Sequence, residues 1–314
     1  MATVRIESLT LEGKCKEALS AVSFELAKGR VERSETLTLA PYYVRLLVEV
    51  GAPQKAVLFS DSMEKKPLPF GSSAGVGPGG NPRIMMFSGD FERRVAERER
   101  AALLLATGEY ERAAAAAAAM YKPATTVGLL AAYTKSIEAE ARFRLGDLAK
   151  AAAMVKVADE ALGKKSQSLP LYYVPRILYT ACLVESRGAS PVDAEAECQR
   201  GLTLAQKNPN SRRDVSLGYL ALAEARLARN DTLGSREAAS HGLELTLQLF
   251  GTNHQDAARA HQILAQTDLR EGNAAAARSH AEAAIKIGLV VFGDPSPKLA
   301  ELKRELAQCL DSSR

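Results

Sequence analysis

Gly146, Gly188, Asn230 and Gly272 stand 42 residues apart, each in a turn between two alanine-rich stretches with helical periodicity. A fixed period of this length marks stacked supersecondary units, each too poor in apolar surface to fold alone and so obliged to bury one face against its neighbours. The stretch Ile137 to Ala158 shows the unit: Ile137, Ala141 and Leu145 form one helical stripe, Gly146 and Asp147 make a turn, and a second amphipathic helix follows. Glycine supplies the left-handed conformation that ends the first helix, and the aspartate can cap the second. The chain is therefore expected to be all-α, an α-solenoid of stacked antiparallel helical hairpins.

The same layout recurs around Gly108, Asn230 and Gly272, asparagine being the best non-glycine residue for such a turn. Seven residues before the turns sit Ala101, Ala139, Ala223 and Ala265, and twelve residues after three of them come Ala158, Gly242 and Ala284. Helices approach closely only where both contact points are small, so these positions are the expected seams. The run Ala113 to Ala119 serves the same end, alanine joining high helix propensity to the smallest side chain.

These features resemble the tetratricopeptide repeat, a helical hairpin of about 34 residues. Gly108, Tyr110 and Ala113 fit its turn signature, as do Gly146, Leu148 and Ala151, and Gly272 with Ala277 and Ala284 fits in part. The 42-residue period and the segment Phe250-Gly251-Thr252-Asn253-His254, echoed by Phe292-Gly293-Asp294-Pro295, look more like the longer repeats of kinesin light chains. The resemblance runs from about Phe91 to Phe292 and implies a right-handed superhelix whose concave surface, lined mainly by first helices, binds a protein or peptide. Some tetratricopeptide proteins grip a C-terminal carboxylate with a lysine and asparagine set; the corresponding positions here carry Ser136, Glu140, Tyr179 and Leu183, so that clamp is not expected.

The expected organisation is two degenerate hairpins in residues 1–68, with turns at Gly13 and Gly51, then a Gly/Pro-rich mobile loop in 69–89. Five hairpins follow in 90–292, and a capping helix in 296–311 carries Leu299, Leu302, Leu306 and Leu310 on one side and Lys298, Glu301, Arg304 and Glu305 on the other. The loop spells G-x-G-x-x-G at Gly75, Gly77 and Gly80, and G-x-S-x-G around Ser73. Neither follows a strand, so dinucleotide binding and a serine nucleophile are both set aside. His254 and His261 lie seven apart without a third ligand at helical spacing, and no metal or cofactor is expected. His254 reads as a first-turn residue. Cys15, Cys182, Cys198 and Cys309 show neither close pairing nor metal spacing, so disulfides are not expected and Cys182 reads as a small buried residue.

Lys and Arg total 41 against 37 acidic residues, a formal +4 that lacks the dense basic footprint of a nucleic-acid binder. No apolar run reaches the roughly 20 residues that span a bilayer, and the charged first 16 residues do not read as a signal peptide, so a soluble cytoplasmic protein is expected. The candidate binding residues on first-helix faces are Arg98, Glu140, Arg144, Arg176, Tyr179, Arg187, Glu224, Gln262, Gln266 and Arg270. Long arginines amid polar amides suit an acidic or carboxylate-bearing peptide, since guanidinium binds carboxylate bidentately. The expected function is a non-catalytic interaction scaffold, with homodimerisation left open. The alternative is a peptide-sensing regulator whose solenoid changes pitch on binding.

Overall fold

The computed structural model describes residues 15–27, 33–65, 88–120, 128–166, 173–188, 191–208 and 211–311. Within them the chain forms α1 (Cys15–Ala27), α2 (Arg33–Glu49), α3 (Pro53–Lys65), α4 (Ser88–Ala106), α5 (Tyr110–Met120), α6 (Leu129–Arg144), α7 (Leu148–Ser166) and α8 (Tyr173–Glu185). There follow α9 (Pro191–Gln206), α10 (Arg212–Ala228), α11 (Thr232–Phe250), α12 (Gln255–Arg270), α13 (Ala274–Phe292), α14 (Pro297–Glu305) and α15 (Ala307–Asp311). The stretch around Gly13 and the Gly/Pro-rich segment with Ser73, Gly75, Gly77 and Gly80 lie outside the described residues.

Of the four turns on the 42-residue beat, those at Gly146, Asn230 and Gly272 share one left-handed geometry, whereas Gly188 ends α8 without a positive φ. Gly146 at φ 81° donates its N–H to Phe143 O (3.0 Å) while Asp147 donates to Arg142 O (3.0 Å), the paired bonds that satisfy the last carbonyls of a helix ending in a left-handed residue. Gly51, Gly108, Asn230 and Gly272 repeat both bonds at the ends of α2, α4, α10 and α12. Asn230 takes φ 62° without being glycine. The residue after the turn then caps the next helix: Asp147 accepts from Lys150 N–H, Asp231 from Gly234 N–H and Asn273 from Ala276 N–H.

Packing follows the small residues. Ala101, Ala139, Ala223, Ala265 and Ala284 are fully buried, and Ala158 nearly so, at the contacts between successive helices. At Gly242 on α11 an added Cβ would lie 2.7 Å from Leu220 of α10, so the two backbones approach as closely as side chains permit. The core is correspondingly a chain of local clusters strung along the stack, as a quasi-one-dimensional solenoid requires.

Two sequence expectations are corrected. Cys182 on α8 and Cys198 on α9 form a disulfide, with Cα atoms 5.3 Å apart. Their separation of 16 residues resembles no motif, but in an antiparallel hairpin it brings the two buried positions face to face. The C-terminal cap is not one helix but two, because the chain breaks at Leu306 between α14 and α15. Nor is its charged side wholly solvent-facing: Glu301 is 6% exposed, and Lys298 Nζ donates to its Oε2 (2.8 Å) and to the Tyr110 hydroxyl (2.8 Å), which itself donates to Glu301.

That last contact is part of a larger closure. The superhelix turns far enough for its early hairpins to touch its late ones. His254 packs on Gly51, and its Nε2 bonds to Glu49 O (3.2 Å). Gln255 Nε2 donates to Val48 O (3.4 Å), and Gln54 on α3 donates to Phe292 O at the end of α13. At Gly108 a Cβ would sit 2.8 Å from the Lys298 backbone nitrogen.

Alanine at Gly146, where nothing lies within 4 Å of the added Cβ, is expected to cost only the left-handed penalty of about 1–2 kcal/mol. Gly108→Ala adds a backbone collision and is expected to cost measurably more in chemical denaturation, and to loosen Tyr110 from Glu301. Equal costs would show that this closure carries no stability. Reducing the Cys182–Cys198 bond is expected to lower stability by about 3 kcal/mol, the loop entropy released by a cross-link of this span, read as a lower denaturant midpoint with reductant.

Candidate binding channel

Because the ends meet, the concave face becomes the inside of a ring. It lines a half-open cavity of about 230 Å³ to which α2, α4, α6, α8, α10, α12 and α14, the first-helix series, all contribute. An apolar floor of Val48, Leu105, Leu183, Leu217 and Phe292 is set with cations Arg144, Arg176, Arg213, Arg259 and Lys298 and with carboxylates Glu140, Glu224 and Asp256.

The cations are held in two ladders that run across successive first helices. In the first, Arg144 (α6) lies 3.5 Å from both Glu140 and Glu224 (α10), and Arg259 Nε (α12) donates to Glu224 Oε1 (2.5 Å). Burial pushes the Glu224 carboxyl up, but Arg259 and Arg144 outweigh it and bring it down to about 2. In the second, Arg176 Nε (α8) donates to Asp214 Oδ1 (2.7 Å) and its Nη2 to Glu49 Oε1 (2.9 Å). Arg213 (α10) donates to Asp256 Oδ2 (3.0 Å) and to Glu49 Oε2. Glu49, 5% exposed, is thus clamped between two guanidiniums. Burial raises its carboxyl, yet Arg176, Arg213 and Arg45 hold it well below the usual carboxylate value. Burial and Arg213 act in the same opposed way on Asp256, with a net lowering, whereas at Asp214 burial wins over Arg176 and the carboxyl is raised.

His254 is the N-cap of α12: its Nδ1 accepts from Asp256 N–H (3.1 Å), which leaves the proton of the neutral ring on Nε2 to donate to Glu49 O. Burial lowers its pKa below the ordinary histidine value.

Of the ten sequence candidates, Glu140, Arg144, Arg176, Tyr179, Glu224 and Gln262 line this one cavity. Tyr179 does so with its ring wedged into the wall, where a Cβ on Gly201 or Gly218 would come within 2.6 Å or 2.5 Å of it. Gln262 donates to Glu305 on the neighbouring α14. Arg98 is buried beside Glu99 and over the Tyr173 ring, away from the cavity. Arg187 lies over Phe143 at the α8 end, and Arg270 reaches Leu227 O and Asn230 on the neighbouring turn. Gln266 is on α12 outside the cavity lining.

Sequence reasoning missed Arg213, Arg259, Asp256 and Glu49. The first three had a signal: Arg213 precedes Asp256 by 43 residues and Glu224 precedes Arg259 by 35, opposite charges about one repeat apart on successive first helices. Glu49 had none, since its partners lie 127 and 164 residues away and meet it only through the curvature of the stack.

No family model and no curated protein matches the chain. Among solved structures it is similar to a chain in the crystal structure of the APC/C hetero-tetramer Cut9-Hcn1, with a TM-score of 0.59 and 16% identity over 98% of this chain and 49% of that one. The fold is a tetratricopeptide-like α-solenoid. The chain spans about half the length of that neighbour, and the likeness concerns the tetratricopeptide-like fold alone. Among the described residues no helix is long and apolar enough to cross a membrane.

The lowered groups set the pH response. Neutral His254 is favoured in the folded chain, so its contribution is full above about pH 6.5 and is lost as pH falls through its lower folded pKa. Glu49, Glu224 and Asp256 contribute above their unfolded pKa values near 4 and lose that contribution on further acidification, Glu224 down to about pH 2. Thermal midpoints are expected to fall in two stages, first below pH 6.5 and again below about 4. His254→Asn keeps a capping side chain and is expected to reduce the first stage without removing it, since burial also lowers His261 and His280, and to leave the second stage unchanged.

Proposed function

We propose that this chain is a non-catalytic interaction scaffold that binds a protein or peptide partner through the concave face of its tetratricopeptide-like ring. The observation that carries this reading is the convergence of six first-helix candidates and three missed charges, Arg213, Asp256 and Arg259, on one cavity with an apolar floor. Alternating apolar contacts and oriented guanidiniums on a preformed surface are what peptide recognition uses, and a surface already formed loses little entropy on binding. The 42-residue repeat with its Phe250-Gly251 and Phe292-Gly293 segments favours the kinesin-light-chain type of hairpin for the C-terminal half. The partner is expected to bring carboxylates, because arginine dominates the cationic groups of the wall.

One observation favours a second reading, the ligand sensor whose pitch changes. Contacts between distant hairpins bridge the concave face, so a partner that presses them apart would change the pitch of the stack. The Cys182–Cys198 bond also favours an oxidising compartment over the cytoplasm expected from sequence, since cytosolic thiols are kept reduced.

The test leaves every ion pair intact. Ala106 lines the cavity, and Ala106→Trp fills it, whereas Leu233→Ser alters an outward residue that is 77% exposed. A partner captured by the wild-type chain and then titrated with purified protein is expected to bind Ala106→Trp at least about tenfold more weakly and Leu233→Ser as wild type. The reverse pattern would place binding on the convex face and end the groove reading.

A further inference from the structure

The contact that closes the ring has the chemistry of a bound peptide. At the end of α2, three groups of two consecutive residues are read by side chains of late hairpins. Val48 O accepts from Gln255 Nε2 (3.4 Å), Glu49 O pairs with His254 Nε2 (3.2 Å), and the Glu49 carboxylate is split between Arg176 Nη2 (2.9 Å) and Arg213 Nη1. Two main-chain carbonyls, an apolar side chain on the cavity wall and one acidic side chain make a minimal recognition motif.

We infer that Arg176 and Arg213 form a receptor for one carboxylate of an acidic peptide, and that Glu49 occupies it as an internal substitute which the peptide displaces. This rests on the groove reading above and names its ligand chemistry.

Three observations support it. First, the slot is built to hold a single carboxylate. Arg176 Nε is committed to Asp214 and Arg213 Nε to Asp256, so each guanidinium is positioned by its own acid and presents a further N–H toward the same point from a different helix. When Glu49 leaves, Arg176 and Arg213 keep Asp214 and Asp256, and each still aims the N–H that Glu49 had accepted at the vacated position. Second, the closure is made from costly groups. Burying a charged triad contributes little net stability compared with apolar packing, and its best-attested use is to specify or switch an arrangement. Third, the closed state leaves a polar atom of the wall unsatisfied. Gln255 Oε1, on the side chain that reads Val48, is sealed from solvent with no partner among the described residues. Such an atom disfavours the closed form and is released when the ring opens.

The peptide committed to is one with an acidic residue preceded by a small branched apolar residue, since Val48 supplies the apolar contact beside Glu49. The probe is acetyl-Val-Glu-Val-Gly-amide, the sequence of residues 48–51, and its control replaces Glu by Gln. Full-length wild type, Glu49→Gln and Gly51→Ala are compared. The last acts on the same closure without touching a charge, because its Cβ would lie 2.7 Å from the His254 ring in a backbone at φ 79°. Both variants are expected to speed hydrogen exchange at the amides of residues 255–258 while keeping wild-type helicity, and to bind the Glu probe at least about tenfold more tightly than wild type does. Excess Glu probe is expected to speed the same exchange in wild type, and the Gln probe is not.

Unchanged exchange in both variants would show that Glu49 does not hold the ring shut. An opened ring that binds the Glu and Gln probes alike would show that the arginine pair does not read a carboxylate. Either result overturns this inference and leaves the groove reading standing, because the Ala106→Trp comparison does not depend on Glu49.

Discussion

Close approach of helix backbones at alanine and glycine is the constraint from which the rest of this structure follows. With Ala139, Ala223 and Ala265 fully buried at one seam and Ala158, Gly242 and Ala284 at the other, each hairpin can settle closely against the next. A near-constant rotation per unit accumulates into a superhelix. Here it accumulates until Gly51 meets His254 and Gly108 meets Lys298. The positions that set curvature are thus far in sequence from the contacts that curvature makes, and a bulkier residue at a seam would act on the ring by changing its pitch.

Closure changes the electrostatics of the inner face. On an open groove, arginines such as Arg144 and Arg176 would be hydrated and their pairings weak. Inside a ring they are largely removed from water, and a charge there persists only if paired and hydrogen-bonded. The two ladders, Arg144 with Glu140, Glu224 and Arg259, and Arg176 with Asp214, Glu49, Arg213 and Asp256, meet that requirement within the chain. The opposing effects at the carboxyls show how near the balance lies: arginine wins at Glu49, Glu224 and Asp256, and burial wins at Asp214.

What could be read in the sequence was whatever repeats. Turns at Gly108, Gly146, Asn230 and Gly272 recur with the same paired hydrogen bonds, and a pattern present several times can be recognised from one chain. First-helix faces follow from those turns, which is why Glu140, Arg144, Arg176, Tyr179, Glu224 and Gln262 came out on one cavity. Interactions made once could not be read this way. The Cys182–Cys198 bond occurs in a single hairpin, and the inward turn of Lys298 and Glu301 depends on meeting Tyr110 nearly 190 residues earlier. Glu49 is the clearest case, because nothing near it in sequence distinguishes it from any acid at a helix end.

The chemistry of the two closing contacts bears on how the ring works. Apolar surfaces meeting across the groove would close it firmly and without direction. Instead, Val48 O, Glu49 O and Phe292 O are each read by a polar side chain, and the carboxylates of Glu49 and Glu301 by cations or a phenol. Hydrogen bonds of this kind are worth little net when water is the alternative, but they demand particular geometry. The closure is therefore specific in geometry, and a ligand would shift it only by as much as it prefers one arrangement over the other.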